Sequence, residues 1–189
     1  NHTAVLCWEI FNEPEIMLNA GEYGPVPMES IQRFVNLCAG AIHRTDPSVK
    51  VSNGSWRSVY TTNKKDISAQ NLYSDAALIA SGGDQEGTLD FYMFHYYPNE
   101  LSTDFSPFHK TYTDWYPVGD ATAKPLIIGE FPCFGIIAWE GRICLPRTKK
   151  NTEKSMVWLY ENGYSGGWGW QYAGDELGGL EMMAPGLDT

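Results

Sequence analysis

The chain has 189 residues, 43% hydrophobic and 19% charged, long enough for one sizeable core and short for two. Thirteen basic against 23 acidic residues leave a formal charge of −10. That excludes nucleic acid and anionic membrane surfaces as expected partners, because both need a basic face.

Ala4–Phe11 is a near-continuous apolar run, the pattern of a strand buried on both faces as in a parallel sheet. A loop containing Gly and Pro follows (Asn19–Pro27). Ile31, Phe34, Val35, Cys38 and Ile42 then recur at helical spacing and predict an amphipathic helix over Glu29–Arg44, ended by Asp46-Pro47. Val49–Ser52 reads as a second strand closing at Asn53-Gly54. A helix near Leu72–Ser81 stops at Gly82-Gly83 in the manner of a glycine cap. Leu89–Tyr97 is a third strand, ended by Pro98, and an irregular segment (Asn99–Lys124) separates it from the fourth, Leu126–Gly129. Glu153–Asn162 is helical up to Gly163, and Tyr164–Tyr172 is a last strand interrupted by glycines. The tail after Ala173 carries no pattern.

This β-α-β-α-β-x-β-α-β order calls for parallel strands joined by right-handed crossovers. The strand ends at Glu13, Asn53, Tyr97, Glu130 and Trp170 lie 40, 44, 33 and 40 residues apart. A (β/α)8 barrel uses roughly 31 residues per unit and more where loops are long. A doubly wound open sheet would carry a Gly-rich phosphate loop after a strand, and none is present. The expected fold is therefore α/β, a (β/α)8 TIM barrel present in part, about strands four to eight. Residues 1–189 form one partial catalytic domain, with strands one to three and the last helix lying outside the chain. Such a remnant is expected to expose an apolar sheet edge, to be weakly folded and to be inactive alone.

No apolar stretch approaches the roughly 18–20 residues of a membrane span. The chain opens on Asn1 rather than Met, so its start is silent about secretion. Cys7 and Cys38 sit in apolar patterns and read as small core residues, while Cys133 and Cys144 bracket a loop and could pair in an oxidising compartment. No metal-like spacing joins the four cysteines, nor His2, His43 and His109. Asn1-His2-Thr3 and Asn53-Gly54-Ser55 match the glycosylation acceptor pattern. The basic run Arg147–Lys150 reads as a solvated loop, and Glu9 as a buried, paired structural carboxylate.

Catalytic groups of such a barrel come from the C-terminal ends of several strands. Those ends carry Asn12-Glu13, Asn53, His95 with Tyr97, Glu130, and Trp168 with Trp170. Glu13 and Glu130 are 117 residues apart, each closing an apolar run just before a proline. Two carboxylates beside a His, a Tyr and Trp rings suit a retaining glycosidase, which needs one carboxyl to protonate the leaving oxygen and one to attack the anomeric carbon. An apolar surround favours the protonated role and donated hydrogen bonds the ionised one. The residue pattern leaves open which glutamate takes which. The seven Trp and eleven Tyr fit either a large aromatic core or platforms for sugar rings.

The segments "WEIFNEP", "FHYYP", "IIGEF" and "GGWGWQY", in this order, resemble clan A glycoside hydrolases, most closely family five, which holds endo-mannanases and cellulases. The resemblance runs from residue 5 to about 173. It implies that Glu13 is the acid/base and Glu130 the nucleophile. It implies further that Asn12 binds the sugar 2-hydroxyl, that His95 and Tyr97 orient the two glutamates, and that Trp170 is the platform at the cleavage site, with Trp168 the second claimant. Trp56 could line a neighbouring subsite or serve as a loop anchor. "NLYSDAALIASGGDQEGTLDFY" is similar to bacterial mannanase-like members, which makes β-1,4-mannan the first substrate and a β-1,4-glucan the alternative. A non-catalytic carbohydrate-binding protein or an inactive fragment is the other reading; loss of a glutamate would be its usual sign, and both are present. The resemblance implies no cofactor, a β-linked polysaccharide partner, a monomer when full length, and secretion, with further strand–helix units and a secretion signal encoded upstream.

Overall fold

In the computed structural model, the described residues are 4–19, 24–64, 69–97, 106–132 and 149–170. Five strands are present: β1 (Cys7–Asn12), β2 (Lys50–Ser55), β3 (Tyr92–His95), β4 (Leu126–Pro132) and β5 (Gly166–Trp170). The helices are α1 (Met28–Thr45), the four-residue α2 (Ser58–Thr61), α3 (Asp75–Gly82), the four-residue α4 (Tyr112–Trp115) and α5 (Lys149–Glu161), with a 3-10 helix over Pro14–Asn19. The strands lie in sequence order, β1-β2-β3-β4-β5, and β1 with β2, β2 with β3, and β4 with β5 pair in parallel. This is the α/β fold of a partial (β/α)8 barrel. No helix among the described residues is long and apolar enough to cross a membrane.

The chain divides into two compact units, residues 1–94 with 116–125, and residues 95–115 with 126–189. In the first, α1 packs on α3 and on β1 and β2, burying Ile31, Val35 and Ala39 against a core that includes Val51, Leu78 and Tyr92. Asn36, fully buried on α1, donates to the carbonyls of Asp84 and Gly87 at 2.8 Å each and accepts the Asp84 amide at 3.0 Å. The loop after α3 is thereby tied to α1. Tyr92 stacks on Tyr116, whose hydroxyl reaches the Thr61 carbonyl.

In the second unit Phe108 lies edge-on to Phe131, with Tyr96 beside it. Trp115 Nε1 donates to the Tyr164 hydroxyl at 2.5 Å, and Trp158 Nε1 to the Pro107 carbonyl at 3.1 Å. A Cβ on Gly167 would fall 2.6 Å from Leu159 Cδ1, so this face of β5 is pressed on α5. Side chains alternate along a strand, so Trp168 and Trp170 share the opposite face.

Several sequence expectations need correction. β1 is not buried on both faces: too little among the described residues packs against it, and Leu6, just before it, and Trp8 are exposed at 67% and 54%. Phe34 and Leu37 of α1 are exposed as well. Glu9 is exposed rather than buried, for the same reason. Asn53-Gly54 continue β2 instead of closing it, because Gly54 pairs with both Asn12 and Met93. Asn53 is 1% exposed, which removes Asn53-Gly54-Ser55 as a glycan acceptor in the folded chain. Cys7 and Cys38 are free and half-buried, short of true core positions. Lys149 and Lys150 belong to the start of α5 rather than to a loop. The 3-10 helix, α2 and α4 were not foreseen. Cys133, Cys144, Arg147 and the Asn1-His2-Thr3 acceptor lie outside the described residues, as do Tyr172 and the tail.

Candidate active site

In the first unit, β1 carries Asn12 to its C-terminal end, where Glu13 follows. The β1–β2 register steps three residues on β1 (Glu9 to Asn12) against two on β2 (Ser52 to Gly54), a bulge just before the glutamate. Bulges of this kind bend a strand and re-aim the side chain beyond it. Glu13 itself has φ 49°, the only non-glycine among the described residues with positive φ. Such a conformation costs on the order of 1–3 kcal/mol and persists where its surroundings over-determine it. The surroundings do so: the Glu13 amide donates to the Gly54 carbonyl at 2.7 Å, and its carbonyl accepts from Ile16 at 3.2 Å.

Two residues on, Glu15 is fully buried. Its Oε1 accepts from the Ser55 hydroxyl at 2.7 Å and the Tyr73 hydroxyl at 2.6 Å, and its Oε2 from the Trp56 amide at 2.8 Å. Burial first, and then the neighbouring Glu15 carboxylate, push the Tyr73 phenol well above its ordinary range, so it stays a donor. Trp56 is half-buried, with the Arg57 guanidinium 4.3 Å over its ring. Asn53 lies one position before Gly54, inside β2.

In the second unit, β4 repeats the device. Its register against β5 steps three residues (Ile128 to Phe131) against two (Gly167 to Gly169), so a second bulge holds Gly129 and Glu130. The Tyr97 hydroxyl donates to Glu130 Oε2 at 2.7 Å, and the Tyr96 amide donates to the Glu130 carbonyl at 2.9 Å. His95, 3% exposed at the end of β3, brings Nδ1 to 3.6 Å from the same Oε2. Two polar side chains thus converge on one carboxylate oxygen. On β5, Trp168 is half-buried and Trp170 is 43% exposed at the strand end, paired in register with Pro132.

The sequence-predicted residues therefore fall into two groups, each at strand ends: Asn12, Glu13 and Trp56 in the first unit, and His95, Tyr97, Glu130, Trp168 and Trp170 in the second. Sequence reasoning missed Glu15. Its sign was a second glutamate in "NEPE", directly after the turn.

The chain resembles known proteins in sequence and in fold. The mannan endo-1,4-beta-mannosidase of Mytilus edulis is 32% identical over 192 residues, matching 90% of this chain and 47% of that protein. That of Cryptopygus antarcticus is 28% identical over 188 residues, matching 89% of the chain and 45% of that protein. The chain is similar to mannan endo-1,4-beta-mannosidases. Solved structures agree: the blue mussel beta-mannanase superposes with a TM-score of 0.71 at 30% identity, covering 97% of this chain and 53% of that one. The beta-1,4-mannanase of Aplysia kurodai also gives 0.71, at 27% identity, covering the whole of this chain and 55% of that one. The chain spans about half the length of the curated relatives it matches. No family model matches it.

Proposed function

We propose that the protein carrying this chain is a retaining endo-acting glycoside hydrolase of β-1,4-mannan. The observation that carries the reading is the Tyr97–Glu130 hydrogen bond at a bulged strand end, in a chain similar over nine-tenths of its length to mannan endo-1,4-beta-mannosidases. Tyr97 aims a lone pair of Glu130 and leaves the other oxygen to act.

In this mechanism the Glu130 carboxylate attacks the anomeric carbon while Glu13 passes its proton to the glycosidic oxygen. The C1–O bond breaks and a glycosyl ester forms on Glu130. Glu13, now ionised, takes a proton from water, whose oxygen adds to C1 and releases Glu130. Retention requires the two carboxyl groups to stand ~5–5.5 Å apart in the working enzyme. Asn12 holds the 2-hydroxyl, and the face of β5 carrying Trp168 and Trp170 supplies the sugar platform. A polymeric substrate of this kind is met outside the cell, and the protein is read as secreted and monomeric.

The test is hydrolysis by the whole protein of mannan and of cellulose, with the anomer of the first product followed by NMR. Mannan cleavage with release of the β-anomer is expected. Preference for cellulose would reassign the substrate, and release of the α-anomer would overturn the double displacement.

A further inference from the structure

We infer that Glu15 is a positioning residue for Glu13: its buried carboxylate anchors the turn that aims the acid/base group. The inference rests on the reading of Glu13 given above and adds a residue to it.

The two positions are linked by Pro14, whose ring fixes one backbone torsion and leaves little slack between them. Three successive residues of β2 and its exit hold this segment from one side. The Gly54 carbonyl takes the Glu13 amide, while the Ser55 hydroxyl and the Trp56 amide both donate to Glu15. Tyr73 closes the third direction. Glu15 is the one buried side chain in this turn that makes polar contacts, and Glu13 is the one non-glycine held at positive φ among the described residues. Without the anchor, the turn is free to relax towards ordinary φ, and the Glu13 side chain swings with it. Trp56 loses its amide partner in the same event.

The two oxygens of Glu15 accept hydrogen bonds from three donors. In Glu15→Gln an NH2 group, a donor, replaces one of the two accepting oxygens. Turned towards Trp56 it opposes an N–H that cannot accept; turned the other way it meets two hydroxyls that can rotate to accept. The variant should therefore fold with a loosened turn.

The experiment uses the whole protein and two aryl β-mannobiosides. With a nitrophenyl-free phenyl leaving group, departure needs the proton of Glu13; with dinitrophenyl it does not. For Glu15→Gln, kcat/KM on the phenyl substrate is expected to fall about 10–100-fold and on the dinitrophenyl substrate less than about threefold. Tyr73→Phe, which keeps the carboxylate and removes one donor, should show the same signature at about threefold to tenfold, and carries the test if Glu15→Gln does not fold. A purely structural role predicts equal losses on both substrates, and that result, or no loss on either, overturns the inference. Wild-type protein inactive on every mannan would instead overturn the functional reading, and this inference with it. Active wild type, a dead Glu13→Gln and a flat Glu15→Gln would remove the positioning role alone.

Discussion

The hydroxyl of Tyr97 and Nδ1 of His95 meet at one oxygen of Glu130, the first as a 2.7 Å hydrogen bond and the second at 3.6 Å. Both come from the C-terminal end of β3, at and just beyond His95, while Glu130 sits in the bulge of β4. Tyr97→Phe removes the shorter contact while keeping the ring. Misplacing the nucleophile in this way should lower kcat/KM on mannan about 10–100-fold. Because a hydrogen bond to a charged group also contributes roughly 1.5–3 kcal/mol to the fold, the melting temperature should fall by a few degrees. Steady-state kinetics beside a thermal melt would check this; a loss of stability without loss of turnover would contradict it.

Asn36 joins α1 to the loop after α3 through three hydrogen bonds, and it is fully buried. Alanine leaves one amide and two carbonyls without this partner, and should cost about 2–4 kcal/mol. Asn36→Asp should cost more, because a second acceptor would then face the Asp84 and Gly87 carbonyls. Urea unfolding of the three proteins should rank them wild type, Ala, Asp.

Asp90 carries a pH dependence of stability. Burial pushes its carboxyl up, but hydrogen bonds from Lys50, His43 and the Val51 amide outweigh this and hold it below the usual range. A depressed folded value means the stabilisation is present above the unfolded carboxyl's ~3.9 and is lost as pH falls from there through the folded value. Asp90→Asn should therefore be less stable than wild type at pH 7, by on the order of 1 kcal/mol given the partial solvent exposure. The gap should close below about pH 4. Melting curves across pH 2–8 would show it, and a gap that widened on acidification would contradict the assignment.

Much of this was legible in the sequence. Periodic apolar residues set α1 within a residue or so, and Gly83, at φ 84° with its amide on the Ile79 carbonyl, caps α3 as its glycine pair implied. The start of α3 was misread by three residues because Ser74 takes the N-cap, a local hydrogen bond that overrides the apolar pattern at Leu72 and Tyr73. The strand ends at Glu13, Tyr97 and Glu130 stood out because each apolar run meets a polar or aromatic residue near a proline, although β3 itself stops two residues earlier than Tyr97, at His95. The bulges at β1 and β4 left no mark in composition, since they exist only as a register between two strands. Glu15 stayed hidden for a related reason: its partners Ser55, Trp56 and Tyr73 are 40, 41 and 58 residues away. Exposure of Glu9 and Trp8 could not be read from β1 itself, because burial of a strand face depends on what packs against it.

In the proposed mechanism Glu130 attacks the sugar and Glu13 does not. Incubating the whole protein with a 2-deoxy-2-fluoro β-mannosyl substrate bearing a good leaving group slows release of the glycosyl ester and lets it accumulate. Peptide mapping by mass spectrometry should then find one sugar per chain, on the peptide containing Glu130 and lost in Glu130→Gln. A label on Glu13, or on any residue other than Glu130, would contradict the account.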